Sequence, residues 1–307
     1  MSADDLFDAH DPRFHALVNA NARLRTLHTG SEWVEGPAYF AGGRYLIWSD
    51  IPNDRMLRLD EADDSVSLFR QPSGNSNGNT VDRQGRLISC EHGRRRVSRT
   101  EHDGSITVIA DAYQGKRLNS PNDVVVKSDG TIWFTDPAYG IESDYEGNKA
   151  AGEIGGWYVF RVVPETGEIS AVITGMVRPN GLAFSFDETR LYVSDSGKPH
   201  HAPFEKQADM MVADVAPDGS LGNLRPFTNI HHGGFDGFRL DTEGRIWAAA
   251  GANVECYAPD ATLLGRIKLP ETVSNLCFGG PKRNILYVTA TTSLYRIRLM
   301  VNGAKTY

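Results

Sequence analysis

Residues 119–140 read NSPNDVVVKSDGTIWFTDPAYG, and their pattern decides the fold. A polar cluster holding Asn122 and Asp123 leads into an apolar run, Val124–Val126. A turn at Ser128-Asp129-Gly130 follows, and a second β-rich run, residues 131–135, ends in Asp136-Pro137. Two such runs joined by an Asp-Gly turn predict an antiparallel hairpin. Asn122 then stands at the mouth of the first strand, and Asp136 at the exit of the second on the same edge. Five more stretches repeat the pattern. Glu35 precedes GPAYF, a Gly42-Gly43 turn and RYLIWSD; Asn79 precedes TVD, Gln84-Gly85 and RLISCEH. Asn180 precedes GLAFSF, Asp187-Glu188 and TRLYVSD; Asp236 precedes GFRL, Glu243-Gly244 and RIWAAAG. Asn275 precedes LCF, a turn at residues 280–283 and NILYVTA. The six anchors are spaced by 39 to 58 residues, a period that suits four-stranded blades. The expected fold is all-β: a six-bladed β-propeller with four-stranded antiparallel blades around a central channel.

Most of the 307 residues are absorbed by the six units. Residues 1–21 are expected to form a short helix or arm, and residues 22–307 a single propeller domain. The alternating stretch ARLRTLH, residues 22–28, is expected to close the ring as the outer strand of the last blade, removing an open edge. Polar insertions follow the second strands of blades three (residues 138–156) and four (residues 196–209). With the link at residues 229–235, they open on the mouth that carries the anchors, where function is expected.

A net charge of −7 and a pI near 5.7 exclude a global basic field for nucleic acid. The basic run GRRRVSR at residues 93–99 is local and fits an exposed hairpin. Cys90, Cys256 and Cys277 lie in or beside apolar runs without CxxC spacing and read as buried thiols. The acidic N-terminus lacks the apolar core of a signal peptide, and no apolar run approaches the roughly 20 residues of a membrane helix. A cytoplasmic protein without a membrane or nucleic-acid partner is the expectation.

In a propeller the first strand of each blade lines the channel, so the anchors gather at one mouth. Glu35 and Asp236 then face each other across it, with Asn122 and Asn180 beside them. Carboxylates brought into a narrow pocket need compensation, which a divalent cation supplies. Carboxylate and amide oxygens suit a hard cation: Ca²⁺ first, then Mg²⁺ or Mn²⁺, with Zn²⁺ less suited because its His and Cys ligands are not among the anchors. Four protein oxygens leave positions open for water and a substrate oxygen.

The ordered set EGPAYF, GNTVDRQGRLISCEHGRRRV, NSPNDVVVKSDGTIWFTDPAYG, RPNGLAFSFDETRLYVSDSG and FDGFRLDTEGRIWAAAG resembles the senescence marker protein / gluconolactonase / luciferin-regenerating enzyme family. It is most similar to the bacterial gluconolactonase branch. The resemblance implies one catalytic divalent cation in the channel. It matches the family's metal ligands to Glu35 in EGP, Asn122 in PND and Asn180 in PNG, and its catalytic metal-bound Asp to Asp236 in DGF. Animal members hold the sugar lactone with an Arg two residues before the third-blade Asn. Here that position is Ser120, and Arg117 stands five residues before Asn122.

The implied activity is hydrolysis of a small sugar lactone. The cation polarises the lactone carbonyl, and Asp236 takes a proton from water and passes one to the ring oxygen. Direct attack by Asp236 is the covalent variant. Phosphotriester or fluorophosphate hydrolysis at the same site, and a non-catalytic binding propeller, are the competing classes. Asn79, His92, Tyr139 and Arg117 are the candidate substrate contacts, while Asp123 is expected to point away from the channel mouth and secure backbone. His200-His201 and His231-His232 read as loop or lid residues. Ser194-Asp195-Ser196 lacks the GxSxG elbow of a serine hydrolase.

Overall fold

A computed structural model describes residues 6–19, 21–197, 209–230 and 234–305. Six antiparallel sheets follow one another along the chain. Blade one contains Val34–Phe40, Tyr45–Asp50, Arg55–Asp60 and Val66–Arg70; blade two contains Ser76–Val81, Leu87–Glu91, Arg96–Thr100 and Ile106–Ala110. Blade three contains Val124–Val126, Ile132–Asp136, Tyr158–Val163 and Glu168–Ile173; blade four contains Pro179–Phe184, Arg190–Asp195, Met210–Val215 and Leu221–Thr228. Phe235–Leu240, Ile246–Ala250, Asn253–Tyr257 and Leu263–Lys268 make blade five, and Val273–Gly279, Ile285–Ala290 and Ser293–Arg298 begin blade six. Each first strand touches the first strand of the next blade, and Val273–Gly279 touches Val34–Phe40. The result is a six-bladed β-propeller.

Arg25–His28 pairs with Ser293–Arg298 as the fourth strand of blade six. Further upstream, Phe7–Ala9 adds a fifth strand to blade five, against Leu263–Lys268. A 3-10 turn, Pro12–Ala16, follows, and its Asp11 cap accepts from the Arg13 N–H at 2.9 Å. Phe14, fully buried, packs this segment onto Trp247. The arm is thus held by a strand and an aromatic plug.

The turn between first and second strands places a left-handed residue in every blade: Arg44, Gly85, Gly130, Glu188, Gly244 and Arg283. Asp side chains fix several of these turns. Asp82 accepts from the backbone N–H groups of Gln84 and Arg86, and Asp241 from those of Glu243 and Arg245. Fully buried Trp48, Trp133 and Trp247 project from the second strands. Each contributes about 5 kcal/mol of transfer free energy at 25 cal/mol per Å². One core cluster joins Val34, Leu46 and Trp48 of blade one to Cys277, Tyr287 and Leu294 of blade six, sealing the ring. All three cysteines are free and buried. Among the described residues, no helix is long and apolar enough to cross a membrane.

The pairing register revises two of the six anchors. Ala38, Thr80, Val125, Ala183, Arg239 and Cys277 lie opposite Ile47, Ile88, Trp133, Tyr192, Trp247 and Tyr287. Three residues upstream of them stand Glu35, Asn77, Asn122, Asn180, Asp236 and Ser274. Asn79 and Asn275 are therefore not equivalent to Glu35. The irregularity between Ser76 and Asn79 carries the sequence Asn77-Gly78-Asn79, and the first asparagine takes the anchor position.

Candidate active site

A cavity of about 430 Å³ opens at the anchor mouth and is lined by Glu35, Asn77, Asn122, Asn180 and Asp236. Tyr139, Glu146 and Ser196 join them from the two insertions, and Trp33, Phe235 and Val273 form apolar wall. Four predicted metal residues and Tyr139 are thus brought together.

Backbone contacts between blades hold the anchors at this mouth. A glycine follows four of them and admits its neighbour: a Cβ on Gly36 would lie 2.1 Å from the Asn77 carbonyl oxygen, and one on Gly181 2.5 Å from that of Asp236. Hydroxyls on the second strands then grip the next anchor. Ser49 donates to the Asn77 carbonyl at 2.8 Å, Thr135 to that of Asn180 at 2.7 Å and Ser194 to that of Asp236 at 2.9 Å. Ser194 is therefore a positioning hydroxyl. Asp195 accepts from the Val177 and Arg178 N–H groups, each at 2.8 Å, which fixes the chain entering blade four. Asp136 does the same for blade three by accepting from the Asn119 N–H at 2.8 Å.

Glu35 is buried, and one carboxylate oxygen accepts from the Gly36 N–H at 2.7 Å and from Asn275 Nδ2 at 3.0 Å. Burial pushes its pKa up, with Asp123 and Glu146 adding to the effect. Burial also raises Asp236, and Glu35 is the largest of the charges that reinforce it. Two carboxylates that each resist ionisation in one cavity form a site that favours a bound cation. Among the described residues no three His, Cys, Asp or Glu side chains gather closely enough to hold an ion. A cation here needs the amide oxygens of Asn122 and Asn180 as well, and this mixed oxygen set fits a hard divalent ion.

The remaining predicted contacts stand elsewhere. Asn79 is buried outside the cavity lining; its Nδ2 donates to Gly36 O, Ser49 Oγ and Asn77 O, and its Oδ1 accepts from Ser89 Oγ. It ties blades one and two together. His92 is fully buried behind Asn77, whose Nδ2 lies 3.2 Å from His92 Nε2. Burial drives the imidazole pKa down to about 4, so the ring is neutral. Arg117 is exposed and donates to the Arg94 carbonyl at 3.2 Å, away from the cavity. His200-His201 and His231-His232 lie outside the described residues.

Sequence reasoning passed over Asn77, Glu146 and Arg239. Glu146 sits among several polar residues of the blade-three insertion, with nothing in its spacing to mark it. Burial, and then Glu142, push its pKa up to about 7. Arg239 stands one ring below the anchors and pairs across the channel with Asp123 at 3.1 and 3.3 Å. This ion pair floors the site. Beyond it a separate cavity of about 280 Å³, lined by Val125, Ala183, Arg239 and Cys277 among others, occupies the far end of the first strands.

The SMP-30/gluconolactonase/LRE-like region matches residues 33–292. The chain belongs to the SMP-30/gluconolactonase/LRE-like family. Within this family, a gluconolactonase of Zymomonas mobilis is 31% identical over 95% of this chain and 85% of its own length. A gluconolactonase structure from Xanthomonas campestris superposes with a TM-score of 0.89 at 36% identity, covering 96% of this chain and 95% of that one. The fold extends to a calcium-binding protein, regucalcin, from Agrobacterium tumefaciens, with a TM-score of 0.74 at 20% identity over 92% of this chain and 95% of that one.

Proposed function

We propose that this member of the SMP-30/gluconolactonase/LRE-like family hydrolyses a sugar lactone in the anchor cavity, with a divalent cation held by Glu35, Asn122, Asn180 and Asp236. The observation that carries the reading is the convergence of these four oxygen-bearing side chains on one cavity in a chain similar to gluconolactonases. Ca²⁺ is the favoured ion because all the ligands are hard oxygens. When bound, it supplies Lewis acidity and stabilises negative charge on the lactone carbonyl oxygen.

Asp236 moves the proton. Water adds to the carbonyl carbon while the Asp236 carboxylate takes its proton. The ring C–O bond then breaks and Asp236 returns a proton to the departing ring oxygen, giving the open hydroxy acid. Ser194 holds the Asp236 backbone from below, and Tyr139 borders the site from the blade-three insertion. The Trp33, Phe235 and Val273 wall excludes water from one face of the ring.

Asp236→Asn tests the role. It keeps an amide oxygen on the cation but removes the proton acceptor, so kcat on D-glucono-δ-lactone is expected to fall by about 10² to 10⁴. A variant that binds the cation, folds, and keeps more than about a tenth of wild-type turnover is incompatible with general-base chemistry at this residue. If the variant is inactive but the wild type prefers phosphotriesters to lactones, the site stands and the substrate class is the phosphoryl one.

A further inference from the structure

Asn77 and Glu146 face the cavity with no place in the cation set. Asn77 is almost fully buried, and its Oδ1 has no hydrogen-bond partner among the described residues. Its orientation is set from behind. Asn77 Nδ2 donates to His92 Nε2 at 3.2 Å, so the imidazole carries its proton on Nδ1. That nitrogen faces the Glu146 carboxylate at 3.8 Å. The amide oxygen of Asn77, a residue of the cavity lining, is therefore the atom left without a partner among the described residues, and Glu146, part of whose side chain remains accessible, offers a second acceptor on the same lining.

Buried acceptors left unpaired cost free energy that an arriving donor recovers. Both groups here accept, and the apolar wall of Trp33, Phe235 and Val273 completes the chamber. A ring with C–H bonds on one face and hydroxyls on its edge matches that distribution. We propose that Asn77 and Glu146, oriented by His92, form a subsite that accepts hydrogen bonds from ring hydroxyls of the substrate and so selects hydroxylated lactones over bare ones. This inference rests on the lactonase reading for its substrate but not for its binding chemistry. Asn77 and Glu146 are the contact residues; His92 is a positioning residue.

The test compares cation-loaded wild type, Asn77→Ala and Glu146→Ala on D-glucono-δ-lactone and on δ-valerolactone, which has the same ring and no hydroxyls. Each variant is expected to lose about 10- to 100-fold in kcat/KM on the gluconolactone, mainly through KM, and to stay within about twofold of wild type on δ-valerolactone. Glu146→Gln, which keeps one acceptor oxygen, is expected to recover part of the loss. Equal losses on both lactones, or lowered cation affinity by calorimetry, would assign these residues to the fold or the cation site and overturn the subsite. So would unchanged kinetics on both. A second measurement does not depend on turnover: calorimetric binding of 1,5-anhydro-D-glucitol, a polyol ring without a carbonyl. The same variants are expected to weaken it by a similar factor, and unchanged affinity, or no binding to wild type, overturns the proposal. Wild type that binds the polyol but hydrolyses neither lactone leaves the subsite standing and removes the lactonase reading instead.

Discussion

Arg239→Met removes the cation paired with Asp123 beneath the site. Asp123 is 1% exposed, its Oδ1 already accepts from the Val124 N–H at 2.9 Å, and the Arg239 guanidinium supplies two contacts at 3.1 and 3.3 Å. Methionine matches much of the arginine stem but leaves a carboxylate stranded in the middle of the ring. Stranding one partner of a buried ion pair costs about 3–5 kcal/mol, whereas neutralising both partners costs far less. Asp123→Asn with Arg239→Met is therefore expected to be at least about 2 kcal/mol more stable than Arg239→Met alone, because the Asn keeps the Val124 bond without a charge. An unfolding entropy of about 2.1 cal/mol/K per residue over this length means that a loss of about 4 kcal/mol lowers Tm by about 6 °C. Equilibrium urea denaturation of the two single variants and the double variant reads the cycle directly. A cost below about 1 kcal/mol for Arg239→Met, or a double variant no more stable than it, would refute the view that this pair is a charge-matched floor.

Two further perturbations follow from the same geometry. The His92 pKa lies near 4 in the fold against 6.5 ordinarily, so the unfolded chain binds the extra proton between those values. Its contribution is complete above pH 6.5 and declines as pH falls towards 4, by about 1.4 kcal/mol per unit and about 3 kcal/mol in all. The stability difference between wild type and His92→Gln, read by urea denaturation from pH 4 to 7, is expected to carry that slope. Glu35, Glu146 and Asp236, whose carboxyl pKa values burial raises, give a background of opposite sign in both proteins. Parallel curves for the two would show that His92 is not buried neutral. Gly36→Ala meets the Asn77 carbonyl at 2.1 Å with φ at +54°, whereas Gly85→Ala has φ at +79° and open space around its Cβ. The first is expected to cost about 2–5 kcal/mol and disturb both flanking anchors, the second about 1–2 kcal/mol with turnover intact, as measured by denaturation and lactone hydrolysis. Equal costs would show that blade approach at Gly36 is unimportant.

The propeller was legible because each blade writes the same hairpin: a polar anchor, a turn with a left-handed residue, and an apolar second strand. Those signals are local. The anchors of blades two and six are ambiguous in the sequence because Asn77-Gly78-Asn79 and Ser274-Asn275 each offer two polar residues near the strand start. Only the pairing of Thr80 with Ile88 and of Cys277 with Tyr287 decides between them. Arg239 carried a visible clue, a charge between Phe238 and Leu240 in an inner strand. Its partner Asp123 lies 116 residues away, and that distance is bridged only by the closed ring. Glu146 had no local signal at all, since its position depends on how the blade-three insertion folds back over the mouth. Asn79, His92 and Arg117 carry side chains whose chemistry suits a sugar. Asn79 is buried in contacts between blades one and two, His92 is buried behind Asn77 within blade two, and Arg117 is on the outer surface.

Proton release from D-glucono-δ-lactone by chelator-stripped protein, repeated after adding Ca²⁺, Mg²⁺, Mn²⁺ or Zn²⁺ in turn, tests the central claim. After subtraction of spontaneous hydrolysis, the proposed cation site of Glu35, Asn122, Asn180 and Asp236 predicts little turnover without an ion and strong acceleration with at least one, Ca²⁺ foremost. Equal turnover with and without added ion in fully stripped protein would contradict it, as would no acceleration by any of the four.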